Sequence, residues 1–557
     1  MKRLVTLDVL RGACIIVMVG VHVFSSIFDK SWIGTEEMTS RTLLDIFFLL
    51  GLAYLGGMTG LFLMVSMVAH TISINGQLEK GRNLKSVMLR QIAAGFILIV
   101  FAFLVEGTLG QYGFLGRMAY FDPLGESSFQ EMISRHLPRI FYRGFHFMTL
   151  QTIGFCIVIN SGIQWLMYRK GGRKKISRNF RIYIGLAAAV ILLTPVMWGI
   201  ADAIIPGYPF AQYPGSDRMV QYPLEGTSTI PEILLLGILA PIAGQTEPLF
   251  PFLFISFAGV LIGMYLSLSD VPKKICNKGI KLGLAMTAIG AVGIQVMWIL
   301  GLDSWSNLEN DINSLLNMKV WFPILLVTTG GQLIIVFLTL RMVEFRGIQN
   351  IFAEKTRWIR RFGAASLTIF TIQWIDAFPR FFLSLLPGVD VFGHRDGMMV
   401  SLGVVLIVIL MWDLILRLWT RLKLVGSFEW FFSQTLKILG KVLFKVKKTE
   451  MKVKNWWYVD RLDLFSASNP VEWTDFSRGR SGESGKLKDC RLCYYISISG
   501  ILFFPLSFMA YLFTRKLERS EIANQYLKRA SILSRVGLIL AVVEIAVMSI
   551  TNNYLIK

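Results

Sequence analysis

The sequence predicts an all-α, polytopic helical membrane protein with ten transmembrane helices followed by a C-terminal two-helix hairpin. The 557 residues are 54% hydrophobic and only 17% charged, with a mean hydropathy of +0.56, whereas soluble globular domains are about 25% charged. Apolar runs of about 18 residues or more, long enough for a helix to cross the hydrocarbon core, recur along the chain. Basic segments alternate with acidic or neutral ones between these runs, as the positive-inside rule requires.

The formal net charge of +21 comes largely from basic clusters between the apolar runs. Such clusters are typical of cytoplasmic loops, so we predict a lipid bilayer as partner, a cell-membrane location and no nucleic-acid partner. The five cysteines do not indicate a disulfide framework. The first apolar run lacks a small-residue cleavage site, so we predict no cleavable signal peptide.

The first apolar run, at about 9–28, follows Lys2 and Arg3, which places the N-terminus in the cytoplasm. A shorter apolar piece at 230–243 is predicted to be re-entrant, and the preceding segment 206–231 is long enough to build an outer rim or lid. Nine further long runs follow the first, at about 43–68, 91–109, 147–167, 182–205, 248–268, 282–300, 319–340, 363–386 and 398–420.

These runs predict a transmembrane domain over residues 1–435, a basic and polar cytoplasmic linker over 436–494, and a two-helix membrane segment over 495–557. A basic stretch separates the last two apolar runs and should stay in the cytoplasm. This conflicts with a hairpin that starts inside, so its topology stays open. Cys490 and Cys493 form a lone pair, whereas zinc needs four ligands, so we predict no metal.

The first helix carries a polar stripe. Arg11 and His22 are eleven residues apart, which returns to within about 20° of the same helical face about 16 Å further along the axis. Asp8 lies on the same stripe. Ionisable groups inside a membrane are costly and indicate function. In the alternative interpretation, Asp8 and Arg11 anchor the helix end and His22 hydrogen-bonds within the bundle.

The pattern Leu7-Asp8-x-Leu10-Arg11-Gly12, followed by ten residues and then His22, resembles the opening helix of acyltransferase family 3. These are membrane O-acyltransferases of cell envelopes. The resemblance extends loosely over residues 5–435 to the wider transmembrane acyltransferase group, which includes heparan-α-glucosaminide N-acetyltransferases. The later segments similar to that group are Leu84–Glu106, Phe145–Gly154, Pro248–Gly263, Gly363–Phe370 and Gly426–Trp430.

The resemblance implies an enzyme that moves an acyl group, which we expect to be acetyl, from cytosolic acyl-CoA to a carbohydrate or lipid-linked acceptor. It implies that Arg11 lies on the acyl-CoA side and that His22 serves acyl transfer. An imidazole titrates close to working pH and suits a base, while guanidinium groups bind phosphate. Asp8 joins His22 as a catalytic candidate.

Three further charges are candidates with plainer alternatives. Lys85 and Arg90 open the third helix and are candidates for binding CoA phosphates, although basic residues there also serve as topology signals. Glu106 ends that helix and is a candidate to assist His22, although a helix-end charge can simply reach the interface. We also predict two internal ion pairs at i, i+4 spacing, Asp376 with Arg380 and Asp413 with Arg417.

The chain departs from the family's pattern at three places. Gln373 stands where the family often has His or Asn, Thr152 follows Gln151 in place of Arg, and Met67 follows Ser66 in place of Gly. These departures keep two other hypotheses open: a transporter or flippase that uses the polar stripe as its pathway, and a non-catalytic scaffold. The sequence leaves homo-oligomer formation open.

Overall fold

The fold is described from a computed structural model of the chain. The structure describes residues 4–29, 59–111, 113–119, 147–204, 230–244, 247–268, 274–300, 321–384, 397–421, 424–444 and 525–551, with isolated residues between these ranges.

Within these ranges, nine helices are long and apolar enough to cross a membrane, which indicates an integral membrane protein. They match the predicted runs one to eight and ten. Their bounds are α1 Val5–Ser25, α2 Thr59–Glu79, α3 Leu84–Thr108, α5 Thr149–Tyr168, α6 Ile176–Ile204, α8 Leu249–Leu266, α9 Lys274–Ile299, α10 Trp321–Val343 and α15 Met398–Arg421.

Shorter helices complete the described part of the chain. The apolar piece at 230–243 forms α7, which at 14 residues is too short to cross the membrane. A 3-10 turn at Arg169–Lys174 follows α5. The other helices are α4 Phe114–Ala119, α11 Gln349–Lys355, α12 Arg357–Ala364, α13 Ser366–Thr371, α14 Ala377–Ser384, α16 Phe428–Phe444 and α17 Gln525–Thr551.

The second apolar run continues further than the sequence predicts. Its helix reaches Glu79 rather than ending near residue 68, because polar side chains in its last turns are buried against α5. His70 contacts Ser161 Oγ at 3.2 Å, and Thr71 Oγ1 accepts from Gln164 at 3.3 Å. Polar residues in a helix interface therefore extend the helix beyond its apolar run.

The ninth apolar run is broken rather than one continuous helix. It divides into the end of α12, α13, a 3-10 turn at Gln373–Asp376, and α14. Glu429 of α16 stabilises the first break: its carboxylate accepts from the Leu367 backbone N–H at 2.9 Å and from the Thr368 hydroxyl. A helix can break at membrane depth only where other groups satisfy the freed backbone, and Glu429 does so here.

Two apolar cores lie on either side of α1. The larger core joins α2, α3, α5, α6, α7, α8 and α10 and receives Leu7 and Leu10 from α1. The smaller core joins α12, α13, α14 and α15 and receives Ile15, Val19 and Val23. The helix with the polar stripe, α1, therefore packs against both cores and joins the two halves of the bundle.

Glycines allow α1 to pack directly against α12. A methyl group at Gly12 would overlap the backbone carbonyl of Ile359, and one at Gly363 would lie 2.7 Å from the Asp8 carbonyl oxygen. Only residues without a Cβ permit backbones to approach this closely.

The outer faces of several helices are apolar and exposed. Leu192 of α6 is 73% exposed, Ile289 of α9 is 61% exposed and Leu410 of α15 is 58% exposed. Such faces suit lipid tails rather than water.

Several predicted features fall largely or wholly outside the described residues. They are the N-terminal Lys2 and Arg3, the outer rim at 206–231, the linker at 436–494 beyond α16, the Cys490/Cys493 pair and the apolar run at 495–514. The other C-terminal run, at 532–550, lies within α17.

Candidate functional site

His22 lies in the last turn of α1, close to the 3-10 turn that interrupts the ninth run. Its Nδ1 atom is 2.9 Å from the amide oxygen Oε1 of Gln373, and the Gln111 side chain hydrogen-bonds the same imidazole. Gln373 and Gln111 are buried, at 7% and 9% exposed. The imidazole is thus oriented by two amide side chains from distant parts of the chain.

An ion pair lies beside this histidine. Asp376 and Arg380 are each 1% exposed and approach to 2.7 Å, which confirms the predicted i, i+4 pair. The Asp376 carboxylate also acts electrostatically on His22. Arg380 donates to Ser26 Oγ, just beyond the end of α1. Breaking a buried ion pair is costly, so these contacts fix α14 to α1 around the imidazole.

A further contact joins the end of α3 to this centre. Trp374 lies in the same 3-10 turn as Gln373, and its indole N–H donates to the Leu109 carbonyl at 2.7 Å. Leu109 follows α3 directly and precedes Gln111 by two residues. This bond therefore holds the Gln111 segment close to His22.

Asp8 and Arg11 lie at the opposite end of α1, fourteen and eleven residues before His22, or about 21 Å and about 16 Å along the axis. Asp8 approaches Arg360 of α12 to 3.5 Å. Arg11 is half-buried, and its charge acts on the Cys14 thiol. Asp8 is therefore placed to anchor α1 to α12, far from the His22 imidazole.

Glu106 is buried, at 4% exposed, near the end of α3. Its charge acts on a second carboxylate, Glu247, which precedes α8 and which the sequence did not indicate as a site residue. Burial raises the pKa of Glu247 to about 7, although hydrogen bonds from Thr149 and Thr59 lower it. Glu106 thus lies close enough to Glu247 for their charges to interact, two residues before the end of α3 and five residues before Gln111.

Lys85 and Arg90 lie in the first two turns of α3. Lys85 is exposed, Arg90 is half-buried, and the Lys85 backbone N–H donates to the capping Asn83 side chain at 2.8 Å. Helix α3 packs mainly against α5, whereas α1 packs mainly against α12. The structure therefore places these two cations on a different helix pair from Arg11.

Within the described ranges, no three His, Cys, Asp or Glu side chains come together as metal ligands would. The groups placed for chemistry at the end of α1 are instead one imidazole, two amides and one ion pair. Sequence reasoning missed the roles of four residues, Gln111, Glu247, Gln373 and Glu429. The signal in the sequence for two of them was their position relative to the family-like segments. Glu429 lies within Gly426–Trp430, and Gln373 lies three residues beyond Gly363–Phe370.

The comparisons with known proteins add no relative: no protein-family model and no curated protein sequence matches this chain.

Proposed function

We propose that this chain is an integral membrane acyltransferase that moves an acyl group, which we expect to be acetyl, from cytosolic acyl-CoA to a carbohydrate or other cell-envelope acceptor. The observation that carries the proposal is the His22–Gln373 contact of 2.9 Å, at the opposite end of α1 from Arg11. In this proposal His22 is the general base, and Arg11 binds a phosphate of CoA.

The contact with Gln373 supports a base at the other ring nitrogen. An amide oxygen only accepts hydrogen bonds, so the neutral His22 ring carries its proton on Nδ1. In this tautomer Nε2 carries the lone pair that a general base needs, and the acceptor competes for the ring with the Gln111 side chain. The neighbouring Asp376 carboxylate stabilises the positive charge that the ring acquires when it takes a proton.

The reaction needs no redox partner. His22 Nε2 takes the proton of an acceptor hydroxyl or amine while that oxygen or nitrogen attacks the thioester carbonyl carbon. The new C–O or C–N bond forms, the C–S bond breaks, and the leaving CoA thiolate receives the proton from the ring. The chain's own groups thus supply proton transfer and orientation.

The length of α1 supports separate sites for CoA binding and for acceptor activation on one helix. His22 and Arg11 are about 16 Å apart along the axis, roughly half of the hydrocarbon thickness. The guanidinium of Arg11 is suited to a CoA phosphate at the end of α1 that we assign to the cytoplasm. The imidazole then meets the acceptor nearer the outer surface.

The test is transfer of radiolabelled acetyl groups from acetyl-CoA to a cell-envelope fraction by the purified chain in proteoliposomes. We expect His22→Gln to lower the rate by roughly 100-fold or more, the range for loss of a general base. His70→Gln is the matched control, because His70 is a buried histidine whose partner is Ser161 on α5. Equal transfer by His22→Gln and the unmodified chain would contradict the proposal.

A transporter or flippase is the second candidate, and the broken ninth run favours it. Transporters bind their substrates where membrane helices are interrupted, and the break between α13 and α14 lies beside His22. Uptake of a polar compound into proteoliposomes without covalent modification would favour this candidate over the enzyme.

A further inference from the structure

Two arginines contact one carboxylate where α12 meets α15, and a third arginine lies one helical turn away on α12. Arg361 Nη1 lies 3.3 Å from Asp413 Oδ1, and Arg417 Nη2 lies 2.7 Å from Asp413 Oδ2. The second of these contacts confirms the predicted Asp413–Arg417 pair, but the pair is not internal, because the Arg417 side chain is 59% exposed. Arg357, one turn before Arg361 on α12, also acts on Arg361 through its charge. Arg417 and Arg357 therefore place positive charge next to the Arg361 guanidinium.

One of the three arginines is buried and the other two are exposed. Arg361 is only 8% exposed, whereas the Arg417 side chain is 59% exposed and Arg357 is also exposed. Burial lowers the pKa of Arg361, and the charges of Arg417 and Arg357 act in the same direction, against the opposing effect of Asp413. An anion bound by the two exposed guanidinium groups would offset this repulsion.

The cluster borders a surface that suits lipid. On α15, Leu406, Leu410 and Leu414 are 58%, 58% and 46% exposed and form a stripe with a spacing of four residues. Arg417 continues the stripe three residues later, about 4.5 Å along the axis. The face that contacts acyl chains therefore ends at Arg417, at the depth of the lipid head groups.

The Trp358 side chain also suits the depth of the lipid head groups. Trp358 follows Arg357 on α12 and is 41% exposed. Tryptophan and arginine are both enriched at membrane–water interfaces. The basic segment between α10 and α13 assigns this interface to the cytoplasmic leaflet, which holds the anionic lipids.

We propose that Arg357, Arg361 and Arg417 bind the phosphate of an anionic phospholipid in the cytoplasmic leaflet. Guanidinium groups form paired hydrogen bonds with phosphate oxygens, and basic sites between membrane helices are suited to lipid head groups. This proposal does not require acyl transfer at His22.

The test is the affinity of the purified full-length chain for phosphatidylglycerol and for phosphatidylcholine with the same acyl chains, measured by native mass spectrometry. We expect the unmodified chain to prefer phosphatidylglycerol and the Arg357→Gln/Arg417→Gln double variant to bind it roughly tenfold more weakly or worse. Both substituted side chains are exposed, so the variant should fold, and its thermal unfolding is measured in parallel.

Arg82→Gln is the matched control. Arg82 is an exposed arginine between α2 and α3 whose side chain donates to Gln77 at 3.2 Å, and its loss should leave the lipid preference unchanged. Equal affinities of the double variant and the unmodified chain for phosphatidylglycerol would overturn the proposal. Displacement of the bound lipid by soluble CoA would likewise overturn it, because the anion would then come from a soluble phosphate ester.

Discussion

The His22 imidazole lies 2.9 Å from the Gln373 amide oxygen, although 351 residues separate the two along the chain. The contact joins the last turn of the first helix to the interruption of the ninth apolar run. It requires α1, α12 and the 3-10 turn at Gln373–Asp376 to be placed together. The imidazole is therefore oriented by the tertiary fold rather than by its own helix.

Substitution of Gln373 tests whether this contact serves catalysis. Gln373→Leu keeps the approximate side-chain volume but removes the acceptor for His22 Nδ1, so we expect acyl transfer to fall roughly 10- to 100-fold, as for other groups that orient a histidine. Gln373→Glu keeps an acceptor and should retain more activity. Both rates are measured by acetyl transfer, with thermal unfolding as a check on folding. Equal losses in the two variants would argue against an orienting role.

Glu429 should control the break in the ninth run. Glu429→Ala leaves the Leu367 N–H and the Thr368 hydroxyl without the carboxylate that accepts their hydrogen bonds, a loss of about 1–3 kcal/mol in the free energy of unfolding. Glu429→Gln keeps one acceptor and should lose less. Hydrogen exchange of the Leu367 amide is the direct measurement, and unchanged protection in Glu429→Ala would refute the assignment.

Some of this arrangement follows from the sequence alone. In the part of the chain that the structure describes, nine of the ten apolar runs correspond to membrane-length helices, because the length and polarity of a run largely decide whether it crosses a bilayer. The common face of Asp8, Arg11 and His22 follows from helix geometry. The i, i+4 ion pairs are similarly local.

The partners of these residues could not be predicted in the same way. The ninth run is long enough for one membrane helix although it contains Gln373, Asp376 and Arg380. Its first break is stabilised by Glu429, which is 62 residues beyond Leu367. Likewise, Asp8 binds Arg360 and Glu106 interacts with Glu247 because of helix packing, which a single sequence does not specify. Local patterns thus predicted the helices but not the contacts between them.

The close approach of α1 and α12 gives a prediction about stability. Gly12→Ala places a methyl group against the Ile359 carbonyl, and overpacking of this kind costs about 1–3 kcal/mol. Gly20→Ala is the control on the same helix, because its methyl group would lie 3.6 Å from Val405 Cγ1, an ordinary contact. Thermal unfolding in detergent should separate the two variants, and equal melting temperatures would show that the helices do not pack this closely.

Glu247 gives a prediction about pH. Burial raises its pKa from 4.5 to about 7 in the folded chain, so folding takes up a proton between these values. The free energy of unfolding should therefore fall as the pH rises through this window, and the decrease should end above it. For this shift the effect is on the order of 3 kcal/mol.

Glu247→Gln stays neutral and should lose this part of the pH dependence. Glu79→Gln is the control, because Glu79 is a partly exposed carboxylate paired with Arg173 and its loss should leave the dependence in place. Thermal unfolding at about pH 5 and about pH 8 distinguishes the variants. An unchanged pH dependence in Glu247→Gln would show that this carboxyl does not take up the proton.

Binding of acetyl-CoA to the purified chain in detergent, measured by calorimetry, distinguishes the enzyme from the transporter and the scaffold. If the chain is an acyltransferase, we expect the unmodified chain to bind acetyl-CoA saturably. Arg11→Ala should bind it roughly tenfold more weakly or worse, because a guanidinium–phosphate contact is lost. Arg82→Gln should bind it as the unmodified chain does. If the unmodified chain bound no acetyl-CoA, the account would be contradicted, and the transporter and scaffold hypotheses would take its place.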